Sequence, residues 1–117
     1  MTEKSLPVAV DAMGGDHAPD QIVEGARLAK ESGIPIVLFG TEQALDGIRD
    51  IETIYVSEVV EMDEDPGRAV RRKKDSSLIR AAEYVRDGHS AAMVSAGNTG
   101  ATMASALLRM GLSLIHI

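Results

Sequence analysis

The sequence predicts a doubly wound α/β domain, in which helices cover both faces of a mainly parallel sheet. Short apolar runs rich in β-branched residues alternate with segments whose apolar residues recur at helical spacing. Alternation of this kind is typical of parallel strands joined by right-handed helical crossovers. The core must be aliphatic, because the 117 residues include only one Phe and two Tyr. A chain of 117 residues is long enough for one domain and too short for two, so one domain is expected.

The individual elements follow from apolar runs and from the residues that end them. Strands are predicted for four apolar runs, namely residues 6–10, 34–39, 53–60 and 91–95. Helices are predicted where apolar residues recur at helical spacing, namely over residues 20–31, 42–49, 77–87 and 101–110. Thr41 can cap the second helix, and Ser76 or Ser77 the third. Residues 61–67 resemble an acidic surface loop, and a charged turn is expected over 68–74.

Composition excludes several classes of function. Twelve basic residues stand against eighteen acidic ones, and the resulting net charge of -6 argues against a nucleic-acid-binding chain. The absence of cysteine rules out a thiolate metal site and a cysteinyl acyl intermediate in this stretch. No basic leader precedes an apolar run, and no window reaches the roughly 20 apolar residues of a spanning helix. A cytoplasmic protein is expected.

Two glycine-rich loops follow predicted strands, over residues 11–18 and 95–101. In doubly wound sheets the ligand lies beyond the carboxyl ends of the strands, which is where both loops fall. The second loop leads directly into a helix, so its backbone N–H groups and the helix dipole can bind an anion. The candidate phosphate-binding residues are Ser95, Gly97, Asn98, Thr99 and Gly100. A tight strand-to-helix turn capped by Thr99 explains the pattern equally well.

The first loop contains candidate catalytic residues. Asp11, Asp16 and His17 place two carboxylates and an imidazole close together in the chain, as general acid–base chemistry or metal binding requires. Aspartates are also ordinary loop residues, and the pattern alone favours that structural interpretation. The spacing of ligand-type residues indicates no metal site.

A basic cluster interrupts the acidic chain. Its members are Arg68, Arg71, Arg72, Lys73 and Lys74. Such a cluster can bind phosphate or an acidic protein partner. It can equally be a solvated turn that balances the acidic residues of 61–65, and the pattern alone slightly favours this second interpretation.

Three blocks of the sequence resemble phosphate acyltransferases of the PlsX family. They are residues 8–19 (VAVDAMGGDHAP), 68–77 (RAVRRKKDSS) and 94–101 (VSAGNTGA), in the order and at the spacing of that family. The resemblance covers roughly residues 6–111. Because members of the family are much longer, it implies an amino-terminal fragment.

The resemblance implies a Rossmann-like three-layer α/β/α fold, similar to that of isocitrate and isopropylmalate dehydrogenases. It implies an enzyme of phospholipid synthesis that makes acyl phosphate from acyl-[acyl carrier protein] and inorganic phosphate, without a nucleotide or metal cofactor. A homodimer and peripheral contact with the membrane are also implied. The basic cluster would then dock acyl carrier protein or bind phosphate, and the groups of the first loop would orient the phosphate.

Other interpretations stay open at this point. The chain could belong to a phosphotransacetylase-like enzyme, or it could be a phosphate-binding or carrier-binding module without activity. Residues 112–117 resemble the translation of a transposase adaptor, so a non-native tail is expected and His116 is given no role. The domain segment is accordingly residues 1–111, and the 117-residue chain is expected to be inactive alone.

Overall fold

The computed structural model describes residues 6–109, which fold around one four-stranded sheet. Its strands are β1 (Val8–Asp11), β2 (Ile36–Thr41), β3 (Glu52–Val56) and β4 (Ala92–Val94). Its helices are α1 (Asp20–Glu31), α2 (Glu42–Leu45), α3 (Pro66–Arg72), α4 (Ser77–Arg86) and α5 (Thr99–Arg109). All three strand pairings are parallel. The predicted α/β class with a parallel sheet is confirmed.

The order of the strands, β3-β2-β1-β4, puts β1 between β2 and β4. The chain moves outward from β1 to β2 and β3, and then crosses back to β4 on the other side of β1. Connections that leave two adjacent strands in opposite directions open a crevice at their carboxyl ends. Here that crevice lies between Asp11, at the end of β1, and the loop that follows β4.

Side chains of the strands alternate between two apolar layers, as the pleat of a strand requires. On one face, Val10, Ile36 and Leu38 pack with Val23 and Ala26 of α1. The opposite face carries a second cluster, made of Ala9, Val37, Phe39, Val56 and Ala81. The sheet is thus covered on both faces, which confirms the three-layer arrangement. No helix within residues 6–109 is long and apolar enough to cross a membrane.

Helix α3 was not predicted, because Asp65-Pro66-Gly67 resembles a turn. In the structure Asp65 is the N-cap: its carboxylate accepts a hydrogen bond from the backbone N–H of Arg68 at 3.0 Å. Pro66 occupies the first turn, where its missing N–H costs nothing. Ala69 and Val70 are buried in a cluster shared with α4 and α5, so the expected charged turn is one face of a packed helix.

The ends of α2 and β3 differ most from the predicted boundaries. Helix α2 ends at Leu45 rather than near 49, because Gly47 turns the chain with a φ of 84°. Strand β3 ends at Val56, since the next N–H bonds to Asp75 instead of continuing the ladder. Strand β4 lies at an edge of the described sheet, where the apolar Val94 is 55% exposed. Residues 110–117, with the expected tail, lie outside the described part of the chain.

Candidate functional site

The carboxylate of Asp11, at the carboxyl end of β1, is almost fully buried, with 5% of the residue exposed. Its Oδ1 accepts hydrogen bonds from the Ser77 hydroxyl at 2.6 Å and from the Met13 backbone N–H at 3.0 Å. Its Oδ2 accepts a hydrogen bond from the Ser95 hydroxyl at 2.8 Å. Hydrogen bonds to a charged acceptor are the stronger kind, so this carboxylate joins three segments of the chain firmly.

Ser95 links Asp11 to the second glycine-rich loop. Its hydroxyl donates to Asp11 and accepts a hydrogen bond from the backbone N–H of Gly97 at 3.1 Å. A hydroxyl has a single proton to donate. In this arrangement the Ser95 hydroxyl has no proton left for a phosphate oxygen, and the Gly97 N–H is also engaged.

The two glycine-rich loops touch each other at Gly14 and Gly97. A Cβ atom added to Gly14 would lie 2.7 Å from the Gly97 nitrogen, and one added to Gly97 would lie 3.1 Å from the Gly14 Cα. The first distance is too short for a real Cβ contact, the second is tighter than most such contacts, and both neighbouring atoms belong to the backbone. This close approach of the two loops requires glycine at position 14 and favours it at position 97.

Asn98 is the N-cap of α5, a role that the sequence pattern gave to Thr99. The Asn98 Oδ1 accepts a hydrogen bond from the Ala101 N–H at 3.1 Å. Its Nδ2 donates to the carbonyl oxygens of Glu61 at 3.2 Å and Glu64 at 2.9 Å. This amide therefore fastens the acidic loop to the start of α5, and it is buried in doing so.

At the start of α5, the backbone N–H groups of Thr99 and Gly100 are not used by the contacts described so far. Within residues 6–109 neither N–H has a hydrogen-bond acceptor. Thr99 is exposed, and its N–H belongs to the positive end of the helix dipole. Gly100 packs on Pro66, since an added Cβ would lie 2.5 Å from the proline ring. Of the predicted phosphate-binding residues, these two have donors free for an anion.

Asp16 and His17 lie on the exposed part of the first loop, apart from the hydrogen bonds around Asp11. Their side chains make no hydrogen bond or ion pair to any residue in 6–109. The structure thus separates the three predicted catalytic residues into one buried carboxylate and two solvent-facing groups. In the same range, no three carboxylate or imidazole groups meet in a way that could hold a metal ion.

One member of the basic cluster, Lys73, points inward. Its ammonium group donates to the Val59 carbonyl at 2.7 Å and forms an ion pair with Glu64. The backbone N–H of Glu61 and, next in importance, the Lys73 ammonium hold the pKa of the Glu64 carboxyl below its ordinary value. Lys73 therefore stabilises the acidic loop that Asn98 also holds.

The other four members of the cluster are exposed on and beside α3. Within the described part of the chain, none of their side chains forms an ion pair. They are Arg68, Arg71, Arg72 and Lys74. Because Pro66 and Gly100 are in contact, α3 begins beside the start of α5.

Sequence reasoning missed the bond from Ser77 to Asp11. Ser76 and Ser77 were both possible caps for α4, and the structure gives the capping role to Ser76, whose hydroxyl accepts from Ile79 N–H at 3.3 Å. The hydroxyl of Ser77 is therefore free to donate a hydrogen bond to Asp11. A pair of serines before a helix was the available signal, but the partner lies 66 residues away in sequence.

The parallel sheet and the polar loops at its switch point define a doubly wound α/β protein of the class that binds its ligand at the strand ends. The chain belongs to the family described as fatty acid synthesis protein, whose sequence model matches residues 6–115.

Curated relatives named phosphate acyltransferase match most of the chain. The protein from Anaeromyxobacter sp. strain Fw109-5 is 50% identical over 123 residues, covering 95% of this chain and 33% of the relative. That from Geobacillus thermodenitrificans is 50% identical over 112 residues, covering 91% and 34%. That from Ligilactobacillus salivarius is 47% identical over 110 residues, covering 89% and 33%. The chain spans about a third of the length of these relatives.

Proposed function

We propose that the complete protein containing this segment is a phosphate acyltransferase of phospholipid synthesis, which moves an acyl group from acyl carrier protein to inorganic phosphate. The name of the relatives supports the reaction, because the likeness extends over nearly the whole chain. The loop at the start of α5 supports it chemically, since the reaction needs a site for an inorganic anion.

In the proposed reaction, a phosphate oxygen attacks the carbonyl carbon of the thioester. A carbon–oxygen bond forms, the carbon–sulfur bond breaks, and the thiol of the carrier leaves with the proton that phosphate gives up. Phosphate is already an anion at neutral pH, so the main tasks of the protein are to position it and to stabilise charge.

Phosphate binding is assigned to the loop of residues 95–101, and the observation that carries this assignment is the pair of unengaged N–H groups at Thr99 and Gly100. They point from the beginning of a helix, whose dipole favours an anion. Ser95, Gly97 and Asn98 would act by holding the loop in shape, because their own polar atoms bond within the protein.

Asp16 and His17 remain proposed as groups that orient the phosphate or the thioester. Both are exposed and have no internal partner among residues 6–109, so they are free to meet a substrate that enters the crevice. An imidazole near an attacking phosphate can also exchange a proton with it.

The exposed face of α3 is proposed as the surface that docks acyl carrier protein, an acidic partner. Four basic side chains without an internal ion pair provide the complementary charge. Surface charges of this kind steer encounter and lose their effect as salt screens them. A homodimer and peripheral contact with the membrane complete the proposal and rest on the resemblance alone, and the cytoplasmic location expected from the sequence stays a prediction.

Replacing Thr99 by proline tests the phosphate site directly. Proline is favoured at the first position of a helix, so the fold should tolerate it, yet it removes one of the two free N–H groups. In the complete enzyme we expect the KM for phosphate to rise by roughly tenfold, the effect of losing one hydrogen bond to an anion. The KM for the acyl donor should stay the same.

Thr99→Ala is the matched control, because it removes the hydroxyl and keeps the N–H. If the KM for phosphate rises equally in the alanine and proline variants, the anion is bound by the hydroxyl, which both variants lack, and not by the N–H. If the KM is unchanged in both, the loop does not bind phosphate. An unmodified complete protein that makes no acyl phosphate would overturn the proposed function itself.

A further inference from the structure

We infer that Asp11 is a positioning residue, which holds the phosphate loop through Ser95 and the start of α4 through Ser77. This inference rests on the proposed function for the phosphate, but the geometry on which it depends does not. The sequence pattern grouped Asp11 with Asp16 and His17 as catalytic. The structure gives Asp11 a different environment and a different task.

Asp11 is poorly placed to contact the phosphate itself. Both of its oxygens accept hydrogen bonds from inside the protein, and the residue is buried. An unscreened carboxylate beside a phosphate would repel it, because two like charges in a poorly solvated site interact strongly. The donors that surround this carboxylate shield its charge and use most of its accepting capacity.

The effect of Asp11 on the phosphate loop passes through one hydroxyl. The Ser95 proton is directed to Asp11 Oδ2, so a lone pair of the same oxygen is directed to the Gly97 N–H. Gly97 in turn lies against Gly14, where no side chain would fit. The backbone of Gly97, two residues before Thr99, is therefore held by its hydrogen bond to Ser95 and by its packing against Gly14.

The bond to Ser77 fixes a second element relative to the first. Ser77 begins α4 and is buried, and its hydroxyl donates to Asp11 at 2.6 Å. Asp11 thus joins residues 66 and 84 positions away in sequence. A binding geometry held by such cross-links is preorganised, and loosening it should weaken ligand binding more than the chemical step.

The test compares Asp11→Asn with Ser95→Ala and Ser77→Ala in the complete enzyme. An asparagine amide nitrogen cannot accept a hydrogen bond, so one donor loses its partner. We expect the KM for phosphate to rise by roughly tenfold or more in Asp11→Asn, while kcat falls less than about threefold. Amide hydrogen exchange at residues 97–100 should be faster. Asp46→Asn, the same change at an exposed residue, should alter neither the KM for phosphate nor the exchange rates.

The double variant Asp11→Asn with Ser95→Ala should be little worse than Asp11→Asn alone, because both changes break the same link. If the double variant multiplies the two effects, Asp11 does not act through Ser95. A kcat that falls a hundredfold or more with an unchanged KM would make Asp11 a catalytic residue and overturn the inference. Should Asp11→Asn fail to fold, Ser95→Ala, which keeps the carboxylate and its other donors, decides the question by the same KM and exchange measurements.

The two proposals fail in different ways. If the unmodified protein makes no acyl phosphate but exchange at residues 97–100 still quickens in Asp11→Asn, the proposed function is wrong and the positioning role is right. If the unmodified protein is active and Asp11→Asn changes neither the KM nor the exchange rates, the positioning role is wrong.

Discussion

The polar residues around Asp11 and the basic residues of α3 are organised in opposite ways. Around Asp11, buried polar groups bond to each other across distant parts of the chain. On and just after α3, four exposed basic side chains have no ion-pair partner within residues 6–109, and Lys73 alone of the basic cluster turns inward to Glu64. Groups that are satisfied internally maintain a shape, whereas groups that are left unsatisfied are available to a ligand or partner.

The largest effect should come from the contact between the two glycine loops. Gly14→Ala would place a carbon 2.7 Å from the Gly97 nitrogen, and backbone cannot yield as a flexible side chain can. We expect a loss of unfolding free energy on the order of 3 kcal/mol, measured by chemical denaturation of the complete protein. Gly97→Val would crowd the Gly14 backbone less severely, with its Cβ 3.1 Å from the Gly14 Cα, but it would still change folding and phosphate binding together.

Gly25→Ala is the matched control for that substitution. Gly25 lies in α1, and nothing lies within 4 Å of an added Cβ. Alanine should stabilise the helix by about 0.5–1 kcal/mol, because it has less freedom to lose on folding. If both glycines tolerate alanine equally well, the loops do not pack as closely as described.

Asn98 provides the next largest effect. Asn98→Ala removes the cap of α5 and leaves two carbonyl groups without their donor, at a cost of about 2 kcal/mol in thermal or chemical unfolding. Asn98→Asp keeps the acceptor for Ala101 and loses only the donors. If alanine and aspartate cost the same, capping contributes nothing and the link to the acidic loop is the whole of its role.

The comparison is sharpest within the basic cluster, between the inward Lys73 and the exposed Arg71. Lys73→Met should cost about 1 kcal/mol of stability, because Glu64 and the Val59 carbonyl lose a partly exposed partner. Arg71→Glu should leave stability unchanged and slow the reaction with acyl carrier protein, mostly at low salt. The distinction between an inward and an outward basic residue is wrong if Lys73→Met and Arg71→Glu change stability equally and Arg71→Glu leaves the salt dependence of the reaction rate unchanged.

The smallest effect concerns pH. The pKa of the Glu64 carboxyl is lowered by the Glu61 N–H and by Lys73, and that of Asp75 by the Ser57 hydroxyl and by Arg80. Groups with a lowered pKa stabilise the fold above their ordinary pKa, and the stabilisation is lost as the pH falls through the lowered values. Acid titration of the unfolding midpoint should therefore show a shallower decline in Glu64→Gln than in the unmodified protein. Identical slopes would mean that Glu64 is not paired in the fold.

Local pattern predicted most of the fold, and α1 was predicted with the boundaries observed, Asp20–Glu31. Local pattern failed at α3, where one proline serves equally as a turn residue and as the first residue of a helix. At the site, glycine spacing located both loops correctly. The partners of Asn98 could not be predicted, because the carbonyls it binds lie 34 and 37 residues away and carry no side-chain signature.

The long sequence separations around Asp11 also bear on the order in which the protein takes shape. Asp11 leaves the ribosome well before Ser77 and Ser95, which are 66 and 84 residues further along. Strand β1 can pair with β2 early, but until α4 and then the loop after β4 pack against it, the Asp11 carboxylate lacks the two serine donors. Closing so long a loop carries an entropic cost that later contacts must offset. The crevice is therefore among the last parts of this segment to be completed, and a pause in synthesis between β3 and β4 would leave the nascent chain with a sheet but no binding site.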